Sequence, residues 1–279
     1  MNNRGGPGGE VSPLLQDRVA LVTGAGRGWG RAICLAFARQ GAQVTAAART
    51  QSELDLTAGL VRAEGGRIET LCVDVAREAE LQRIAGALLA RYGRLDVLVN
   101  NAAQLPLTPF EEMPMEVFDR VLAVNLRAPI LLCKLFLETM KNQGQGSLIN
   151  VSSNAGVRGF ELESAYCTSK FGIEGFSRAL ALEVKKHNIA VNTITPGGAS
   201  AGVRIKPTSL TQGEYDRLGE TEQNQWVDSI VMTEAFVFLA RQDGSGVTGE
   251  RVLAYELSEQ IRRQGWDIQP GAETLDTRR

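Results

Sequence analysis

Tyr166 and Lys170 stand four residues apart in a stretch of helical character, so both side chains leave one helix face. A phenol ionises near pH ~10, too high for ready proton exchange around neutrality. An ammonium beside it favours the phenolate and lowers that value. The pair therefore suits proton donation to a carbonyl oxygen, or proton uptake from an alcohol. Alone, this spacing is also common in surface pairs, so a second chemical element is needed. It lies far upstream, where Gly24, Gly26, Gly28 and Gly30 crowd a short segment between an apolar run and an amphipathic one. Glycines there permit a tight turn, let the backbone approach a pyrophosphate, and aim a helix N-terminus at negative charge. Together the two elements imply acid–base chemistry beside a bound dinucleotide.

Other chemistries lack their residues. His187 is the only histidine, in a polar run before an apolar strand. That excludes Ser-His-Asp hydrolysis built on another imidazole, and histidine-rich metal sites. No metal site is expected. Cys34, Cys72, Cys133 and Cys167 are widely spaced and read as reduced core residues. The chain has 30 Lys and Arg against 32 Asp and Glu, so no strong field draws it to nucleic acid or an anionic membrane. No run approaches the roughly 18 apolar residues of a membrane helix. Residues 1–16 are expected as a disordered tail without a signal peptide, and a cytoplasmic location follows.

The elements that must position these groups alternate. Apolar runs at Val19–Val22, Gln43–Ala48, Ile68–Val73, Leu95–Val99, Ser147–Val151, Ile189–Ile194 and Arg251–Tyr255 read as seven strands. Between them, helical periodicity marks Arg31–Gln40, Gln51–Glu64, Glu78–Tyr92, Met115–Lys141, Ser164–Lys186 and Trp226–Arg241. Strict alternation predicts an α/β, doubly wound parallel sheet with helices on both faces. No interior linker breaks it, so residues 17–268 are read as one domain, with a flexible tail over 269–279.

The glycine turn, Asp74 with Val75, Asn100 to Ala103, Asn125, Ser153, Tyr166 with Lys170, and Pro196 with Gly197 together resemble the short-chain dehydrogenase/reductase family, in its shorter single-domain branch. The resemblance runs from Arg18 to about Tyr255. It implies a Rossmann-type fold and a nicotinamide cofactor held by Gly24, Gly26, Arg27, Gly28, Trp29, Gly30, Arg49, Asp74, Val75, Asn101, Ala102, Tyr166, Lys170, Pro196, Gly197 and Ala199. It also implies a catalytic tetrad: Tyr166 as acid and base, Lys170 tuning it, Ser153 holding the substrate oxygen, and Asn125 anchoring a water relay. Ser152, on the other face of its strand, reads as structural. Asp74 would hold the adenine; without the resemblance it reads as a helix cap. Strand two ends in Ala48, where the family places an acid, and Arg49 follows. With Arg27, two guanidiniums would meet a 2′-phosphate, so the expected cofactor is NADP(H).

Departures from the pattern are also legible. Trp29 either walls the nicotinamide or packs the helix base, Ala103 replaces a glycine, and Ala201 stands where a threonine is usual. Residues 198–225 are expected to form a substrate lid. The expected reaction is reversible reduction of a ketone or aldehyde. The alternatives are an NAD-dependent secondary-alcohol dehydrogenase, an epimerase of the longer relatives, and an NADP sensor without turnover. Apolar residues on more than one side of the helices around Leu131 to Phe136 and Phe171 to Leu180 lead to an expected homo-oligomer, a tetramer, with the tail from Glu256 to Trp266 at its interface or over the site.

Overall fold

A computed structural model describes residues 13–197, 204–205 and 226–277. Nine strands are described: β1 Val19–Thr23, β2 Gln43–Ala48, β3 Arg67–Cys72, β4 Val97–Asn100, β5 Gly146–Val151, β6 Ile189–Thr195, β7 Arg204–Ile205, β8 Trp226–Val227 and β9 Arg251–Leu253. The helices are α1 Gly28–Arg39, α2 Gln51–Ala63, α3 Glu78–Tyr92, α4 Met115–Leu122, α5 Ala128–Gln143, α6 Ser164–Val184, α7 Thr233–Ala240 and α8 Ala254–Gln264. Seven strands form one parallel sheet in the order β3-β2-β1-β4-β5-β6-β9, while β7 pairs with β8 apart from it. The order reverses between β1 and β4, which opens a crevice at their C-terminal ends.

Side-chain alternation decides which face each residue serves. In β1, Ala20 and Val22 enter the core shared with Ile33 and Phe37 of α1 and Phe236 of α7. Val19 and Leu21 enter the opposite core, with Leu81 and Ile84 of α3, Leu132 and Phe136 of α5 and Leu180 of α6. A one-residue slip would exchange these sets, so two apolar faces fix the register. The expected α/β doubly wound architecture is the one observed.

Several boundaries differ from the sequence expectation, each for a local reason. Trp226 and Val227 pair with Arg204 and Ile205 instead of opening a helix. A 3₁₀ turn over Ser229–Met232 follows, capped by the Asp228 carboxylate, so α7 begins only at Thr233. The long helix expected over Met115–Lys141 widens into a π-helical turn at Ala123–Arg127. β9 stops at Leu253 because α8 starts on the next residue.

Both expected tails are docked where they are described. The Leu15 side chain is fully buried, and its amide donates to the Gln40 carbonyl at 2.8 Å. Leu275 bridges antiparallel to Val252 and the Leu253 amide donates to the Thr274 carbonyl, so the segment at 271–276 lies against the sheet edge. Leu257 and Ile261 of α8 are buried in the chain's own core, so they are not a spare face for another subunit. Of the apolar residues expected to reach a partner, Leu132, Phe136, Ile173 and Leu180 are buried and Leu131, Leu135 and Phe176 pack partly against the core, while Phe171 stays 49% exposed.

Candidate active site

The glycine turn links β1 to α1, and its glycines are required by geometry. Gly24 has φ +66°, and a Cβ there would lie 2.8 Å from Asn101 Nδ2. A Cβ on Gly30 would overlap the Gly24 carbonyl oxygen. Asn101 Nδ2 donates to the carbonyls of Thr23 at 2.9 Å and Gly24 at 3.2 Å, which ties the turn to the end of β4. α1 starts with no side-chain cap and no acid in its first turn. Its leading amides thus have no capping partner from the helix itself, which suits a pyrophosphate.

The cleft holds about 700 Å³ and is lined by Gly24, Gly26, Arg27, Trp29, Ala48, Arg49, Asp74, Val75, Asn101, Ala102, Ser153, Tyr166, Lys170 and Pro196 among others. Most of the residues expected for cofactor and catalysis therefore meet at one place, while Gly28, Gly30, Gly197 and Asn125 are not among its lining. Arg27 and Arg49 are exposed on its rim, where a phosphate would find both. Trp29 lines the cleft, but its ring is buried and packs edge-on against Phe236, centroids 5.8 Å apart. Asp74 is gripped by Arg120, at 2.9 and 2.8 Å, and accepts from the Ala76 amide at 3.1 Å. Burial raises its pKa, but Arg120 and that amide outweigh the rise and hold the carboxyl below its ordinary range. Gly197 has φ +70° and follows Pro196 out of β6. Ala199 and the expected lid over 198–225 lie outside the described residues, save for β7.

Two charged residues escaped the sequence reading: Glu53 lines the cleft and Arg120 stands behind Asp74. Glu53, in the first turn of α2, brings its carboxylate to 2.8 Å from where a Cβ on Gly26 would stand. Arg120, on α4, anchors Asp74. Only the fold brings these distant helices to the cleft; a first-turn acid is the one signal Glu53 offered.

At the catalytic end, β5 delivers Ser153 and α6 delivers Tyr166 and Lys170. The Ser153 hydroxyl accepts from the Ala155 amide at 3.2 Å and shares the cleft with the Tyr166 phenol. Lys170 is 2% exposed; its Nζ donates to the Val151 carbonyl at 2.7 Å and lies 5.4 Å from the Tyr166 ring centre. The expected lowering of the phenol by the ammonium is not what the geometry gives. Burial pushes Tyr166 up to about 12, with Ser153 alone pulling it down. Burial also pushes Lys170 down to about 8, against the pull of Glu174. Desolvation dominates because Lys170 is buried with its ammonium turned to a carbonyl, and the half-buried Tyr166 sits down in the cleft beside it. At neutral pH the phenol is a protonated donor.

Asn125 sits in the π-helical turn. Its Oδ1 accepts from the Gln104 amide at 2.8 Å; its Nδ2 donates to the Gln104 carbonyl at 2.8 Å and to Ser169 Oγ at 3.2 Å. The widened turn thus fastens the loop after β4 to α6, directly beside Lys170. Such π-turns are frequent at functional sites. Among the described residues there is no cluster of three metal-ligating side chains and no helix long and apolar enough to cross a membrane.

Comparison with known proteins agrees with this geometry. A family model described as short chain dehydrogenase matches residues 18–209. L-xylulose reductase of Bos taurus is 42% identical over 240 residues, covering 85% of this chain and 95% of that one. A metagenomic short-chain oxidoreductase solved in complex with NADP has a TM-score of 0.74 at 30% identity, over 86% of this chain and 97% of that one. Carveol dehydrogenase from Mycobacterium avium, solved in complex with NAD, has a TM-score of 0.74 at 25% identity, over 86% and 96%. The chain belongs to the short-chain dehydrogenase family and is an oxidoreductase of alcohol and carbonyl groups.

Proposed function

Taking a short-chain dehydrogenase as the premise, we propose that this chain reduces a ketone or aldehyde with NADPH, reversibly. One observation carries the reading: Ser153, Tyr166 and Lys170 open onto the same cleft as the glycine turn and the Arg27–Arg49 pair. The nicotinamide, when bound, supplies the hydride. The hydroxyls of Ser153 and Tyr166 hold the substrate oxygen, and the phenol gives its proton as negative charge builds there. Lys170, a cation below about pH 8, steadies the phenolate that results. Asn125 and Gln104 fix the floor beside the lysine, where a water relay would begin. Arg27 and Arg49 would grip a 2′-phosphate, with Ala48 leaving room for it.

Glu53 favours a second reading. A carboxylate under the glycine turn can accept bonds from ribose hydroxyls, which suits NAD-dependent oxidation of a secondary alcohol. Comparing kcat/KM for NADPH and NADH with one accepted ketone separates the two. A preference for NADPH is expected; equal values or a preference for NADH would overturn the phosphate reading. Tight NADPH binding without turnover across a broad carbonyl panel would leave a sensor.

A cytoplasmic homo-tetramer belongs to the same proposal. Phe171 on α6, with Leu182 at 82% exposure, supports a partner surface there. Light scattering is expected to give four times the 30.1 kDa chain mass; a 30.1 kDa particle at micromolar concentration contradicts it.

A further inference from the structure

Behind Ser153 lies a buried ionic cluster that the proton transfer does not use. Arg251 opens β9, and its side chain is 1% exposed. Its Nη2 donates to the backbone carbonyl of Ser153 at 2.9 Å. Its Nη1 donates to the Ser152 hydroxyl at 3.2 Å and to the Glu174 carboxylate, and its Nε donates to the Asp276 carboxylate at 2.9 Å. Glu174 and Asp276 are each 4% exposed. The second Glu174 oxygen accepts from Thr193 Oγ1 at 2.8 Å.

A guanidinium cannot shed its charge, so burying it is unfavourable unless carboxylates and acceptors surround it. Apolar packing at this strand position would serve stability as well. What the guanidinium adds is direction. The Ser153 carbonyl also accepts from the Gly156 amide at 2.9 Å, so two donors from different elements clamp one peptide. That peptide joins Ser153 to the 3₁₀ turn over Asn154–Gly156, and its rotation would swing the serine hydroxyl away from the phenol. Asp276 arrives with the docked C-terminal segment, and its amide donates to the Arg251 carbonyl at 2.8 Å.

We propose that Arg251 is a positioning residue that sets Ser153 against Tyr166, and that Asp276 is the counter-charge that holds Arg251 there. The C-terminal segment is then a working part of the catalytic site. This rests on the oxidoreductase reading above, and the experiment separates the two.

The cluster also gives the clamp an electrical signature. Glu174 stands one turn after Lys170 on α6, and it faces Lys170 and Arg178 on its own helix, Arg251 from β9 and Thr193 from β6. Lys170 faces Tyr166 and Glu174, and Glu163 and Cys167 are the further titratable groups that act on the phenol. Neutralising Asp276 leaves Arg251 to Glu174 among the described carboxylates. The lysine then feels more net positive charge, and its ionisation moves to lower pH. Removing Arg251 deletes a cation beside Glu174 and moves it to higher pH. A role confined to packing moves neither.

The test uses full-length Asp276→Asn, Asp276→Glu and Arg251→Met, with NADPH and an accepted ketone. Asp276→Asn is expected to lower kcat roughly ten- to hundredfold, the scale that a small misplacement of a reacting group costs. Its NADPH dissociation constant, read by fluorescence, stays at the wild-type value, and the alkaline limb of kcat/KM moves to lower pH. Asp276→Glu restores most of the rate, while Arg251→Met is slow with its limb displaced upward. Wild-type kcat and an unmoved limb in Asp276→Asn would overturn the proposal. If Arg251→Met does not fold, Asp276→Asn, which keeps the side-chain size, decides alone. A wild-type chain without turnover sinks the oxidoreductase reading instead.

Discussion

The two ends of the cleft solve opposite physical problems. At the nucleotide end, recognition rests on backbone and on exposed charge: four glycines, the bare amides of α1, and the guanidiniums of Arg27 and Arg49 on the rim. At the catalytic end, the charged groups are buried, and burial moves the ionisation of Tyr166 and Lys170 by whole units in opposite directions. Exposed charges are screened and exchange partners with water, so each adds a modest, separable increment. Buried charges act as a unit, and losing one disturbs the rest. Substitutions at the catalytic end should therefore be severe and coupled, and those at the nucleotide end mild and selective.

The largest effect tests the coupling. Lys170→Ala is expected to lower kcat about 100- to 10,000-fold, the range for loss of acid–base assistance, and to weaken NADPH binding as well. In the wild type, kcat/KM for reduction should fall as pH rises through about 8. Below that value the ammonium offsets charge on the phenolate; above it the neutral amine does not. A rate independent of pH between 7 and 9.5 at fixed NADPH would show that the charge on Lys170 does not assist the proton transfer.

A smaller effect is expected at the rim. Arg49→Ala should reduce kcat/KM for NADPH roughly 10- to 150-fold, from the loss of about 1.5–3 kcal/mol in a bond to a charged group, and leave NADH nearly unchanged. Equal losses with both cofactors would mean that Arg49 does not read the phosphate. The smallest change belongs to Glu53→Gln, which should raise the preference for NADPH by a few-fold, about 0.5–1 kcal/mol of screened repulsion. An unchanged cofactor ratio would remove Glu53 from that role.

The same contrast explains what was legible in the sequence. The sheet and the glycine turn were readable because period-2 and period-3.6 patterns and glycine spacing are local signals. Tyr166, Lys170 and Ser153 were readable through their spacing within a recognisable family pattern. The π-turn at Asn125 was not, because a widened helix keeps nearly the same apolar rhythm. The order of the phenol and ammonium ionisations was also hidden, since burial is a tertiary quantity. Arg251 read as a strand residue and Asp276 as part of a flexible tail; only the docked segment joins them. Leu15 read as part of a disordered N-terminal tail for the same reason: the core it enters is made by residues elsewhere in the chain.

The most direct test of the account is turnover of an accepted ketone by Tyr166→Phe beside the wild type, with NADPH affinity measured on the same samples. The substitution keeps the ring and removes only the proton donor. A fall in kcat of about 100-fold or more, with the NADPH dissociation constant within about twofold of wild type, is the predicted result. A Tyr166→Phe enzyme with near-normal kcat at pH 7 would contradict the assignment of the phenol as the acid.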